Sequence, residues 1–258
     1  MMFTPAEIAD NFINVGISKT SLPKLKMLVL GIFAGFFIAF AGAGSAVASA
    51  TVESLSVAKL ISGIIFPAGL AMVILAGSEL FTGNALIVIS VLEKKVKLQD
   101  MLINWGIVYI GNLIGSLLVA SAFAYSGGPA MFKGIVGISM INAAAAKVEM
   151  GFGTAFIKGI LCNFLVCTAV WIAAAAKEPA GKIAGLFLPI CVFVICGFEH
   201  SIANMFFIPA AMIYDGMMGG LAGLGLLGFI HNLIPVTLGN IAGGLIVGCG
   251  YWFAYLKK

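Results

Sequence analysis

The sequence predicts an all-α membrane protein of six transmembrane helices, arranged as an inverted repeat of three plus three with the second and fifth helices broken. Three observations predict it: a composition that lipid accommodates, six apolar runs of spanning length, and residues that recur in the second half at fixed offsets. Of the 258 residues, 62% are hydrophobic and 9% charged, with a mean hydropathy of +1.15. An ordinary soluble domain is about 25% charged, and no soluble fold hides so much apolar surface. Only helices or closed barrels satisfy the backbone in lipid, and the runs lack the strict alternation of barrel strands.

The elements follow in order. Residues 1–27 form a cytoplasmic N-terminal segment in which Pro5–Ser18 reads as amphipathic and interfacial. With Lys19, Lys24 and Lys26 and no long apolar run, it is not a secretory signal peptide. The first three-helix repeat (28–125) holds spans at about Leu28–Ala50, Leu60–Leu92 with an interruption near Glu79–Asn84, and Met101–Tyr125. An outer linker, more polar, covers 126–153. The second repeat (154–256) holds Thr154–Ala176, Ile183–Ile213 with an interruption near Glu199–Asn204, and Leu226–Leu256. All of 1–258 is one transmembrane domain.

Lysines set the orientation. With the N-terminus inside, the cytoplasmic segments hold Lys19, Lys24, Lys26, Lys94, Lys95, Lys97, Lys177, Lys182, Lys257 and Lys258. Lys59, Lys133, Lys147 and Lys158 fall outside. Both termini are then cytoplasmic, in a multi-pass protein of the cell membrane, and Trp105, Trp171 and Trp252 sit near the inner face as anchors. The lysines flank apolar runs and form no patch, which argues against a nucleic-acid partner. The five cysteines, Cys162, Cys167, Cys191, Cys196 and Cys249, lie inside apolar runs without a CxxC pair. They read as small hydrophobes, and no metal or cofactor is expected.

The repeat is legible in two offsets. A shift of 128 places Asn104, Gly111, Asn112 and Gly115 on Asn232, Gly239, Asn240 and Gly243, and Gly31 on Gly159. A shift of 120 places Glu79 on Glu199 and Asn84 on Asn204, each downstream of a proline, Pro67 or Pro189. A unit of three spans is odd, so the two halves enter the membrane in opposite senses, as in many channels and transporters.

Chemistry concentrates at the interruptions. Polar groups at mid-membrane depth cost a few kcal/mol unless partnered or lining a cavity, and two equivalent clusters occur. Broken helices also aim unpaired N–H groups and the positive dipole end at the break, which favours an anion. Glu79 and Glu199 read as acceptors for those N–H groups. Asn84 and Asn204 read equally as structural caps or as functional groups. Thr82 alone could bond back to its own helix. His200, one of two histidines and placed in a break, reads as functional. His231, near the start of the sixth span, reads as structural.

These residues carry a resemblance. Gly197-Phe198-Glu199-His200-Ser201-Ile202-Ala203-Asn204-Met205-Phe206 resembles the hallmark of the formate/nitrite transporter family. So do Leu80-Phe81-Thr82, Lys158-Gly159-Ile160-Leu161-Cys162-Asn163, and Asn232-Leu233-Ile234-Pro235-Val236-Thr237-Leu238-Gly239-Asn240. The resemblance covers nearly the whole chain. It implies an aquaporin-like fold, a homopentamer with one pore per protomer, and two hydrophobic constrictions flanking a central histidine. It implies constriction roles for Leu70, Leu80, Phe81 and Phe193, with Leu70 cytoplasmic and Leu80 and Phe193 outer. It implies that Thr82 faces His200, that Asn163 and Asn204 add hydrogen bonds near the pore, and that Lys147 draws anions into the outer vestibule. The family often has Asp where Glu79 stands, a conservative change for an acceptor.

The expected solute is a small monovalent weak-acid anion, formate first, with nitrite or hydrosulfide as alternatives, moving through the lipid bilayer with a proton. A bare anion cannot cheaply pass apolar constrictions. A histidine titrating near ~6.5 suits proton transfer, and the sequence leaves open whether His200 or vestibule water supplies the proton. An aquaporin-type neutral-solute channel is the first rival, but no Asn-Pro occurs in the chain. An enzyme is the second rival. Its one Gly-rich candidate, Gly42-Ala43-Gly44-Ser45, reads more economically as tight helix packing.

Overall fold

The structure, a computed structural model, describes residues 2–257. Lys258, expected on the cytoplasmic side, lies outside the described residues. Among the described residues there is no strand; the chain is helical throughout.

Helix α1 (Pro5–Ser21) starts with Pro5 in its first turn and a reciprocal cap between Thr4 and Glu7. The long helices are α2 (Lys24–Ser49), α6 (Leu98–Tyr125), α8 (Phe152–Ala175) and α11 (Leu226–Tyr255). Between them, α3 (Leu55–Ile65) and α4 (Pro67–Ala76) form one apolar stretch jointed at Pro67, whose missing N–H breaks the ladder. A 3-10 turn (Gly83–Ile87) and α5 (Val88–Leu92) complete that run. In the second half, α7 is Ile135–Val148, α9 Pro179–Ile195 and α10 Ser201–Met217. By length and composition, Lys24–Ser49, Leu55–Ala76, Leu98–Tyr125, Phe152–Ala175 and Leu226–Tyr255 can each cross a membrane. The fifth expected span instead falls into two 17-residue helices, α9 and α10, each too short by that measure.

Two expectations change. Residues 126–153 are not a plain linker, because 14 of them form α7. The breaks begin and end earlier than expected. The first runs from Gly77 to Thr82 and the second from Cys196 to His200, so Asn204 already lies in the first turn of α10. Each break has a glycine at positive φ at or next to its start, Gly77 (φ 79°) and Gly197 (φ 65°), where a side chain would be strained. In each, the next N–H turns back to a carbonyl five residues earlier: Ser78 to Val73 and Phe198 to Phe193.

Glycines bring the long helices together. A Cβ on Gly115 would run into Ile32 O across the α2/α6 crossing, and one on Gly243 into Ile160 O across α8/α11. Helix α1 seats near the C-terminal end of α11. Phe12 stacks on Trp171, which stacks on Tyr251, and Ser90 Oγ donates to Phe12 O and Ile13 O. Helix α7 seats at the other end of α11, where His231 Nδ1 lies 3.1 Å from Val148 O. At 1.5 Å per residue, the two ends are about 45 Å apart.

Candidate solute pathway

The same hydrogen-bond network is built at both breaks. In the first half the Glu79 carboxylate accepts from Lys19 Nζ (2.7 Å) and Asn84 Nδ2 (2.7 Å). Asn84 also donates to Asn104 Oδ1 (2.9 Å), and Asn104 donates to Lys19 O (3.2 Å). In the second half Glu199 accepts from Lys147 Nζ and Asn204 Nδ2, both at 2.7 Å. Asn204 donates to Asn232 Oδ1 (2.7 Å), and Asn232 to Lys147 O (2.9 Å). Asn112 bridges α2 and the first break by donating to Gly31 O (2.8 Å) and Glu79 O (2.9 Å). Asn240 does the same for Gly159 O (2.8 Å) and Glu199 O (2.9 Å).

This corrects one expectation. The N–H groups at the breaks are not left for Glu79 and Glu199. Phe81 N–H donates to Asn112 Oδ1 (3.0 Å) and Ser201 N–H to Asn240 Oδ1 (2.8 Å). Glu79 N–H and Glu199 N–H donate to Leu30 O (3.2 Å) and Lys158 O (3.3 Å). The two carboxylates are committed to a lysine and an asparagine instead, which a buried charge requires. Sequence reasoning alone does not single out Lys19, Asn104, Asn112, Asn232 and Asn240 as site residues. The 128-residue offset that pairs the asparagines also pairs Lys19 with Lys147, and that signal could have found them.

The symmetry fails at one place. At the 120-residue offset His200 falls on Leu80 and Thr82 on Ile202, so the histidine and the threonine have no counterparts. They meet each other instead, with His200 Nε2 and Thr82 Oγ1 2.9 Å apart. His200 Nδ1 accepts the Ala203 N–H (3.1 Å) and so caps α10. An accepting Nδ1 puts the proton of the neutral ring on Nε2, making the ring the donor to Thr82. Asn163 Nδ2 donates to Thr82 O (3.2 Å) and Asn240 O (2.6 Å), locking the loop behind the pair.

Two cavities lie along this axis. A vestibule of about 400 Å³ on the α1 side is lined by Lys19, Ser78, Glu79 and Asn84 and closes on Leu70 and Leu80. Beyond these leucines is a chamber of about 10 Å³, walled by Ile38, Val166 and Ile190, with Phe66 and Phe193 packed edge to face at 5.6 Å. That volume suits the centre of one water-sized molecule. Among the described residues, His200 is the chamber's only polar lining residue. Leu80 therefore stands with Leu70 between vestibule and chamber, rather than with Phe193 beyond it. Phe81 lines neither space, because its ring is drawn onto Trp105 and Tyr109. Thr82, Asn163 and Asn204 are buried behind the walls and do not line the chamber or the vestibule. Lys147 is held against Glu199, away from both cavities.

The sequence model of the formate/nitrite transporter family matches residues 6–253. An uncharacterised transporter, YrhG, of Bacillus subtilis (strain 168) is 41% identical, the alignment covering 98% of this chain and 94% of the relative. A probable formate transporter of Methanothermobacter thermautotrophicus is 38% identical, covering 99% and 98%. A solved pentameric formate channel with formate bound is similar at a TM-score of 0.80 and 36% identity, covering 91% of this chain and 98% of that one. The chain, with its helical pathway, thus belongs to the formate/nitrite transporter family: it is a multi-pass membrane transport protein and not an enzyme.

Proposed function

We propose that the chain carries small monovalent weak-acid anions, formate first, across the cell membrane as the neutral acid, with one proton per anion. The observation that carries this reading is His200, a single polar group in an otherwise apolar chamber closed by Leu70 and Leu80. An anion stripped of water there would meet no compensating charge, whereas a neutral acid needs only hydrogen bonds. The small chamber favours the smallest carboxylate, and the names of the relatives favour formate; nitrite and hydrosulfide complete the test panel.

His200 serves this path as a neutral donor. A proton added at Nδ1 would face the Ala203 N–H and break the α10 cap, so the imidazolium is disfavoured. With Nδ1 held by the cap, the Nε2–H can be shared between Thr82 and a passing solute. The solute's proton then comes from vestibule water. On the α1 side Lys19 lines the vestibule paired with Glu79, and on the α7 side Lys147 pairs with Glu199 in the same way, so each lysine offsets the repulsion its glutamate would exert on an anion.

The duplicated networks and the matched breaks support six crossings in an inverted, aquaporin-like repeat, in which α9 and α10 together make the fifth. Lysine placement supports cytoplasmic termini, so the α1 vestibule is the inner one. Likeness to a pentameric channel supports a homopentamer.

His200→Asn tests the core of the reading. Asn still caps α10 but is too short to reach Thr82. Formate flux into proteoliposomes should fall at least about tenfold, the weight of one lost hydrogen bond at about 1.4 kcal/mol. Unchanged flux with unchanged pH dependence would sink the histidine's role.

A further inference from the structure

The chamber has two kinds of wall. Leu70 and Leu80 border both the chamber and the vestibule, and they are unbranched at Cβ. Leu80 lies on the Gly77–Thr82 loop rather than in a helix. A solute can pass them by rotamer change. Ile38 and Ile190 border the chamber alone. They come from two helices, α2 and α9, and each is 2% exposed. A β-branched side chain inside a helix is held in one χ1 rotamer. Ile38 is also backed from behind: its Cδ1 lies only 3.2 Å from where a Cβ on Gly69 would sit, and Gly69 itself abuts Ala41 and Phe37 O. Ile38 therefore has no room to retreat, and Ile190 is equally buried.

We infer that Ile38 and Ile190, rather than the movable leucines, oppose each heavy atom that a solute adds, and so favour a one-carbon over a two-carbon carboxylic acid. The inference rests on the small-acid reading above. The chamber is about 10 Å³, so every further heavy atom on a solute must displace wall atoms. Acetic acid exceeds formic acid by one methyl group, and Ile→Val removes one methyl group from the wall. In a packed apolar site, one methylene changes discrimination by about 10–200-fold.

The test is a stopped-flow comparison of acetate and formate uptake by proteoliposomes bearing the wild type, Ile38→Val, Ile190→Val or the exposed control Ile64→Val. The acetate-to-formate ratio should rise about tenfold in Ile38→Val and Ile190→Val and stay at the wild-type value in Ile64→Val. Val166→Ile, which fills the chamber by one methyl, provides the opposite sign and does not depend on a cavity-forming change: formate uptake should drop relative to hydrosulfide. Formate flux with unchanged ratios in all three chamber variants would overturn the assignment of size selection to these walls while leaving the small-acid reading intact. A wild type that carries neither formate nor hydrosulfide would overturn that reading, and the size assignment with it.

Discussion

Lys147 and Glu199 tie anion attraction and stability to one ion pair. The pair lies 2.7 Å apart, with side-chain exposures of 20% and 4%. Lys147→Ala leaves a buried carboxylate held only by Asn204, a loss of about 3–5 kcal/mol for a buried pair, so the melting temperature in detergent should fall. Adding Glu199→Gln removes the stranded charge and should restore most of it. The half-saturating formate concentration from the Lys147 side should rise in Lys147→Ala, where the Glu199 charge is left unbalanced, and return toward the wild-type value in the double variant, whose pair is neutral as in the wild type. An unchanged half-saturating value in Lys147→Ala would overturn the vestibule role of Lys147. His200 was legible in the sequence because a polar residue inside an apolar run is conspicuous. Lys19 was not, because in a polar N-terminal segment it resembles any surface lysine. Phe81, expected at a constriction from the resemblance, lines neither cavity. A motif does not say which way a side chain turns, and this one turns toward Trp105 and Tyr109.

Between elements, the strongest constraint is the approach of helix backbones at α2/α6 and α8/α11. In lipid this association rests on close van der Waals packing at small residues. A methyl group on Gly115 would meet Ile32 O, and one on Gly243 would meet Ile160 O, both backbone atoms that cannot swing aside. Gly115→Ala and Gly243→Ala should each destabilise by about 1–3 kcal/mol, the usual cost of overpacking. Gly106→Ala and Gly250→Ala, with nothing within 4 Å of the new Cβ, should instead be neutral or gain about 0.5–1 kcal/mol from helix propensity. Thermal unfolding in detergent reads both signs, and equal effects at the four positions would remove the crossing argument. The long helices were legible because a run of roughly 20 apolar residues has few other readings. Helix α7 was not. At 14 residues it is too short to span, and its Ala143–Ala146 run carries no amphipathic period. Its placement depends on Tyr214, which fills the space over Gly137, a contact no local pattern reveals.

For the whole molecule, the duplicated networks make two similar frameworks, and the pathway's chemistry sits where they differ. Leu80 on one side and His200 on the other place an apolar gate and a polar donor at equivalent positions, so one chamber receives both. The offsets of 128 and 120 were legible as sequence, and so was the mismatch of His200 with Leu80; the structure adds that Thr82 and His200 meet at 2.9 Å. The proposed neutral-acid route fixes how the assembled protein should respond to pH. Above the acid's own pKa the neutral fraction falls about tenfold for each unit of rising pH. Formate uptake should therefore climb as the pH on the loading side is lowered, and the opposite compartment should acidify in step, one proton per formate. The measurement is uptake into proteoliposomes with an entrapped pH dye, against protein-free liposomes that report unassisted permeation of formic acid. With the pH equal on both sides and a potassium-set membrane potential imposed, accumulation should not follow the potential, because the crossing species carries no charge. Accumulation that tracked the potential, with no change of internal pH, would mean that the bare anion passes between Leu70 and Leu80, and that His200 stabilises charge instead of acting as a neutral donor.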